Sequence, residues 1–181
     1  INAKELSTFE NVIFKNLKNP NKGNWQLMGA LNFYNSPIEI NTIKLQNITA
    51  EDTINLINTH GIIKKGFFED VSSDAIDSDF SNLVVENTEF KSIGGDAIDT
   101  SGSIVTLSDV LIENAKDKGI SAGEDSQVSI NNIEIKDSFI GVAVKDLSNL
   151  DSKEMILTNN SYGVVAFQKK PEFGPGRIII K

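Results

Sequence analysis

The residues best suited to chemistry in this chain are aspartates that recur at a constant spacing of 22 positions. Asp52, Asp74 and Asp96 form one series, in which Lys118 takes the next position. A second series, three residues later in each unit, consists of Asn55, Asp77, Asp99 and Ser121. Carboxylates can ligate a hard cation such as Ca²⁺, exchange protons in catalysis, or accept backbone hydrogen bonds in turns. Each of these roles requires a fold that brings the two series side by side.

The apolar residues follow the same spacing and indicate which elements position the aspartates. Each unit has one apolar residue at a fixed place: Ile54, Ile76, Ile98, Ile120, Val142 and Val164. Alternation around these residues predicts a strand with one inward face, so that Asn55 and its equivalents point outward. A second pattern has apolar steps of two, three and two, as in Val105, Leu107, Val110 and Ile112. The step of three predicts a corner between two further strands.

These patterns predict an all-β fold, a right-handed parallel β-helix solenoid of about eight coils with three short strands per coil. A helical repeat would show apolar spacings of three and four, and a leucine-rich repeat would need a leucine consensus. We interpret residues 1–181 as a single β-helix domain, with an irregular N-terminal coil and loop over residues 1–36 and regular 22-residue coils over residues 37–181. Because the chain begins at Ile1 and ends in a strand-like apolar segment, we interpret it as a fragment of a larger protein.

A loop over residues 16–29 interrupts the repeat, and Pro20 and Gly23 mark it as irregular. It contains Trp25, the single tryptophan of the chain. Two roles fit Trp25: it covers the open end of the core, or it stacks on a sugar ring. Loops that leave a solenoid often lie on its binding side, so Trp25 is a candidate ligand-binding residue.

The overall composition excludes several classes of function. The chain carries 17 Lys and Arg against 25 Asp and Glu, a net charge of −8. Nucleic-acid binding requires basic patches, so we expect no nucleic-acid partner. We also expect no membrane insertion, because no apolar run approaches the roughly 18–20 residues of a membrane-spanning helix. With no cysteine, the chain has no disulfide framework.

Stacked coils would place the two aspartate series on one face, about 4.8 Å apart along the solenoid. Two unit charges at that distance repel by about 1 kcal/mol in water, and by more where water is excluded. Three compensations are open: a bound cation, protonation with a raised pKa, or neighbouring lysines. For the cation, Ca²⁺, the candidate ligands are Asp74, Asp77, Asp96 and Asp99. Candidate contacts to another ligand are Asp77, Asp99 and Lys145, in addition to Trp25.

Several stretches of the coil pattern carry a resemblance to known proteins: residues 51–55, 73–80, 95–103, 117–124, 141–146 and 168–170. With them, the chain resembles the pectate-lyase-like right-handed β-helix superfamily over nearly its whole length. More narrowly, it resembles bacterial surface β-helix domains found beside spore-coat-H-type kinase domains. The narrower resemblance implies a fold and a bacterial extracellular or cell-surface location, and no specific activity.

The wider superfamily implies enzymes that act on acidic polysaccharides, including calcium-dependent lyases in which a basic residue removes a proton. By this resemblance Lys118, beside the aspartates, is the candidate catalytic base. The single arginine, Arg177, lies far along the chain from the aspartates, which argues against an arginine base. The aspartate, histidine and arginine pattern of the superfamily's galacturonan hydrolases is absent.

Three functions therefore remain open from the sequence. The first is a non-catalytic extracellular or cell-surface module that binds a polysaccharide or neighbouring domains of its parent protein, with calcium assistance through the aspartates. The second is a polysaccharide lyase or epimerase that acts on acidic glycans. The third is a structural stalk or spacer. Whether the chain is an enzyme is thus left open.

Overall fold

The structure, a computed structural model, describes all 181 residues and contains 18 β-strands and no helix. The strands in chain order are β1 (Ser7–Lys15), β2 (Asn21–Lys22), β3 (Trp25–Gln26), β4 (Gly29–Tyr34), β5 (Ile38–Ile48), β6 (Asp52–Ile57), β7 (His60–Val71), β8 (Asp74–Asp79), β9 (Asn82–Ile93), β10 (Ile98–Ser101), β11 (Ile104–Ala115), β12 (Lys118–Gly123), β13 (Gln127–Lys136), β14 (Ile140–Lys145), β15 (Asn149–Ser152), β16 (Met155–Thr158), β17 (Tyr162–Phe167) and β18 (Arg177–Ile180). The chain contains no helix that is long and apolar enough to span a membrane.

The strands alternate along the chain between two parallel sheets, as a β-solenoid requires. The long sheet has the order β1-β5-β7-β9-β11-β13-β15-β18, and β16 also pairs with β13. The short sheet has the order β4-β6-β8-β10-β12-β14-β17. The predicted all-β parallel solenoid is therefore confirmed. The predicted number of about eight coils was too high: only about six full turns are complete, because the first and last coils lack part of their strands.

Each coil bends at three corners, and most of these corners contain a residue with a positive φ angle. The first corner divides the long strands at the predicted step of three, at Thr42, Lys65, Asn87, Asp109 and Asn132. The second lies at or near the end of the long strands, at Asn47, Asp70, Ser92, Asn114 and Asp137. The third follows the short strands, at Asn35, Asn58, Phe80 and Gly102. Asparagine and aspartate fill many corners because they adopt this backbone conformation more readily than most other residues.

A single hydrophobic cluster of 34 buried residues fills the interior of the solenoid. The repeating inward positions supply it, and Phe68 and Phe90 form a stacked pair whose ring centroids are 4.7 Å apart. Each buried Val, Leu, Ile or Phe side chain contributes roughly 1.5–3 kcal/mol relative to exposure. Trp25 is not part of this cluster; it lies in the β2–β3 hairpin and is 53% exposed. The alternative in which Trp25 covers the core is therefore wrong.

Candidate functional site

The short sheet brings the aspartates together on its outer side. In the parallel register, Asp52 is paired with Asp74 and Asn55 with Asp77. Asp77 is paired in turn with Asp99, and Asp79 with Ser101. We define the acidic face by its six carboxylates: Asp52, Asp74, Asp77, Asp79, Asp96 and Asp99. The 22-residue spacing thus becomes proximity between successive coils, as the sequence predicted.

Two of these carboxylates bind the backbone of the next coil. Asp74 Oδ1 accepts a hydrogen bond from the backbone N–H of Asp96 at 2.8 Å. Asp96 Oδ1 accepts one from the backbone N–H of Lys118 at 2.9 Å. The same aspartate position therefore satisfies a backbone donor at two successive coils. This contact is structural, and it occupies one oxygen of each carboxylate.

Asn55 joins two further carboxylates and is itself only 3% exposed. Its side-chain Nδ2 donates to Asp52 Oδ2 at 2.8 Å and to Asp77 Oδ2 at 3.0 Å. Its Oδ1 is buried without a hydrogen-bond partner. Asn55 was predicted to point outward, but its short side chain is buried because the neighbouring coils surround it.

Burial of this many carboxylates favours their protonated forms. Burial raises the pKa of Asp77 to about 8, and the charges of Asp79 and Asp52 add to the effect. The pKa of Asp52 rises to about 7, mainly through burial and then through the charge of Asp74. The pKa of Asp96 also rises to about 7, since burial outweighs the opposing charge of Lys118. If all six carboxylates of the acidic face were ionised, their negative charge would exceed the positive charge of the lysines beside them.

Two lysines border the acidic face on its C-terminal side. Lys118 Nζ lies 3.3 Å from Asp96 Oδ1 and also pairs with Asp117. Lys145 extends back across Gly123 and donates to Ser121 Oγ at 2.8 Å, with Asp99 Oδ1 at 3.9 Å. A Cβ atom at Gly123 would lie 2.8 Å from Lys145 Cε, so this path depends on glycine.

The environment of Lys118 opposes the role of a base. Burial lowers the pKa of Lys118, but the hydrogen bond and charge of Asp117 and the charge of Asp96 outweigh it, so that the pKa is raised overall. A general base must be neutral near the working pH, and a raised pKa keeps an ammonium group charged. The catalytic assignment of Lys118 stays a prediction, with this observation against it.

Three of the four predicted metal ligands converge in the structure. Carboxylate oxygens of Asp74, Asp96 and Asp99 all lie within 4.8 Å of one another. This oxygen-only donor set fits a hard divalent cation, and Ca²⁺ takes oxygen ligands at about 2.3–2.6 Å. Asp77, the fourth predicted ligand, lies outside this group. The ammonium group of Lys118, beside Asp96, would compete with a cation for the same oxygens.

The sequence reasoning missed one buried carboxylate outside the acidic face, at the far end of the short sheet. Asp146 is completely buried, and its Oδ1 accepts hydrogen bonds from the backbone N–H groups of Lys169 and Lys170 at 2.7 and 2.8 Å. These bonds anchor the loop over residues 168–176 to the solenoid, and Lys170 also pairs with Glu124. The available sequence signal was a corner aspartate that precedes a turn-rich segment by one 22-residue repeat.

Comparison with known proteins adds one finding. A family model described as a right handed beta helix region matches residues 52–173. No curated protein and no solved structure matches the chain. The matched segment contains the whole acidic face and both lysines that border it.

Proposed function

The chain belongs to the right-handed β-helix family, and we propose that it is a non-catalytic binding module whose acidic face takes up Ca²⁺ and holds a glycan or a partner surface. One observation carries the proposal: oxygens of Asp74, Asp96 and Asp99 converge within 4.8 Å. Asp74 lies in β8 and Asp99 in β10, whereas Asp96 lies two residues before β10. Strands hold ligands more firmly than loops do, so little ordering is needed when a cation binds.

The raised pKa values support the same proposal. Burial pushes the pKa of Asp96 to about 7, and it also raises the pKa of Asp74. A divalent cation between these groups would supply the positive charge that Lys118 alone does not, and would favour their ionised forms. Cation binding should therefore release protons near neutral pH, which is a measurable sign of this mode of binding.

An extracellular or cell-surface location is part of the proposal. The site has three carboxylates, and one of them is already paired with Lys118. Few ligands and a competing ammonium group favour weak binding, in the range of about 10⁻⁴–10⁻³ M that is typical of extracellular calcium modules. Such a site would fill only where calcium is abundant.

A spacer function is the second candidate, and one observation favours it. Asp74 and Asp96 each use one oxygen to bind the next coil's backbone. If that contact were their whole role, the face would need no ligand. The lyase alternative has less support, because the pKa of Lys118 is raised.

Calcium titration with thermal unfolding at pH 8 separates these candidates. We expect the unfolding midpoint to rise with millimolar CaCl₂, because a ligand that binds only the folded state stabilises it by mass action. Asp99→Asn should abolish the rise while it keeps the oxygen that accepts the Thr100 N–H. The matched control is Asp151→Asn, an exposed carboxylate in β15 of the long sheet. No midpoint shift in the unmodified protein would support the spacer function instead.

A further inference from the structure

Phe80 occupies an unusual position at the third corner of its coil. The equivalent residues of neighbouring coils are Asn35, Asn58 and Gly102, and all four have φ between 47° and 60°. Glycine and asparagine tolerate this conformation, whereas a bulky aromatic residue is strained in it. Strain of this kind persists where the surrounding structure enforces it, and often where a side chain has a function.

The ring of Phe80 is supported by the next coil and is otherwise open to solvent. A Cβ atom at Gly102 would lie 2.7 Å from the ring, so the ring rests directly on the glycine backbone. The side chain is 65% exposed. Leu147, another bulky apolar residue with positive φ, differs because it packs against Gly174 of the 168–176 loop. Phe80 therefore presents a fixed, uncovered aromatic surface.

An open cleft of about 400 Å³ lies beside this ring. We call it the Phe80 cleft; its lining is Asn35, Pro37, Asn58, Thr59, His60, Phe80 and Asn82. This volume falls within the usual range of small-molecule sites, about 300–1,000 Å³. Apart from the ring, the lining offers mainly amide and hydroxyl groups, together with the imidazole of His60.

Phe80 also interrupts a ladder of asparagine amides. Asn35 Nδ2 donates to Asn2 Oδ1 at 3.0 Å, and Asn58 Nδ2 donates to Asn35 Oδ1 at 2.6 Å. The next residue in the series would donate to Asn58 Oδ1, but phenylalanine has no donor. Asn58 Oδ1 therefore has no donor from this ladder. The side chains of His60 and Asn82 make no hydrogen bond within the chain, so all three groups can bind a ligand.

We propose that the Phe80 cleft binds an uncharged pyranose ring, which stacks on Phe80 and accepts or donates hydrogen bonds to Asn58, His60 and Asn82. The C–H groups on a pyranose face carry slight positive charge and match the negative face of an aromatic ring. The overall charge of −8 disfavours an anionic sugar such as a uronate, and the cleft lining contains no lysine or arginine to offset it. The site lies outside the group formed by Asp74, Asp96 and Asp99, and it does not depend on the calcium proposal.

Two residues make the test specific, since His60 is the single histidine and Trp25 the single tryptophan. The probes are the methyl pyranosides of glucose, galactose, mannose and xylose, with methyl glucuronide as the charged comparison, all in EDTA. We expect a saturable NMR shift of the His60 ring protons with at least one neutral probe, no shift with the glucuronide, and unchanged Trp25 signals. No saturable His60 shift with any neutral probe at roughly 100 mM would overturn the proposal, since affinity would then be far weaker than millimolar.

The variant Phe80→Asn separates binding from folding. Asparagine relieves the backbone strain and can donate to Asn58 Oδ1, so the variant should unfold at the same temperature or higher. It should nevertheless weaken the sugar response at least tenfold, whereas Phe80→Tyr should keep it. An unchanged sugar response in Phe80→Asn would contradict the stacking role. The sugar response is measured in EDTA, so failure of the calcium proposal leaves this test intact. Any stabilisation by calcium should be the same in the unmodified protein and in both variants.

Discussion

The two sheets of the solenoid differ in the order of their charged side chains on successive strands. On the long sheet, one outward series alternates in sign over successive coils: Glu69, Lys91, Glu113 and Lys136. On the short sheet, Asp52, Asp74 and Asp96 repeat the same sign, as do Asp77 and Asp99. Like charges on neighbouring strands are destabilising, and opposite charges are favourable. The long sheet shows that this chain can alternate its charges, so the repetition on the short sheet requires another explanation.

The pH dependence of stability should separate the two sheets most strongly. Burial raises the pKa of Asp52 and Asp96 to about 7 and that of Asp77 to about 8. A raised pKa in the folded state contributes stability that is complete below the unfolded value near 3.9 and is lost as the pH rises through 7 to 8. Without calcium, we expect the free energy of unfolding to fall by several kcal/mol between pH 4.5 and pH 8.5.

Chemical denaturation over this pH range measures the effect. Replacing all three aspartates with asparagine should flatten the profile, because asparagine does not titrate. Replacing long-sheet carboxylates Glu69 and Glu113 with glutamine is the control and should leave the profile unchanged. A profile that rises from pH 4.5 to pH 8.5 in the unmodified protein would show that the acidic face is stabilised by ionisation.

A smaller effect should come from the backbone contact of Asp96. Asp96→Ala removes the acceptor of the Lys118 N–H and should destabilise the protein by about 1–3 kcal/mol. Asp96→Asn keeps an acceptor oxygen and removes the charge, so it should be much less harmful at pH 8. Equal losses in the two variants, measured by thermal unfolding, would mean that the charge and not the hydrogen bond is the important feature.

The lysine at the border gives a third comparison. Lys118→Met removes an ammonium group 3.3 Å from Asp96, and should tighten calcium binding because a competing cation is lost. We expect a severalfold lower Kd by isothermal titration calorimetry. Lys64→Met, which removes an exposed partner of Glu86 on the long sheet, should leave the affinity unchanged. Weaker binding in Lys118→Met would indicate that Lys118 itself contacts the ligand.

The smallest effect should be on the long sheet. Lys91→Glu places three like charges in sequence with Glu69 and Glu113, and should cost about 0.2–1 kcal/mol. Because Lys91 is exposed and Glu69 and Glu113 are partly exposed, the loss should shrink at 0.5 M NaCl. If the loss reached the size of the pH effect on the short sheet, burial would not be the source of the difference between the sheets.

Much of the fold could be predicted because one spacing runs through the whole repeat. The apolar positions from Ile54 to Val164 define an inward face, and a shift by one residue would turn that face outward. The stacking of Asp74 on Asp96 follows directly from that register. The count of complete coils could not be predicted well, since terminal strands such as β18 form only part of a coil.

For the candidate site, the sequence could predict which residues lie near one another but not which contacts they make. The convergence of Asp74, Asp96 and Asp99 agrees with the spacing, but the pairing of Asp96 with a backbone N–H depends on side-chain torsions. The route of Lys145 over Gly123 also depends on a gap that only packed coils reveal. Phe80 carried no clear sequence signal, because its φ angle and the adjoining cleft exist only in the folded chain.

The sequence by itself therefore determined the parallel register, the inward face and the residues that share each outward series. These depend on a constant spacing and on hydrophobic burial, which act alike at every coil. Only the tertiary structure decided which oxygens bind backbone, which carboxyls have a raised pKa and which aromatic ring is exposed. Those properties depend on local desolvation and side-chain torsions, which differ from coil to coil although the backbone repeats.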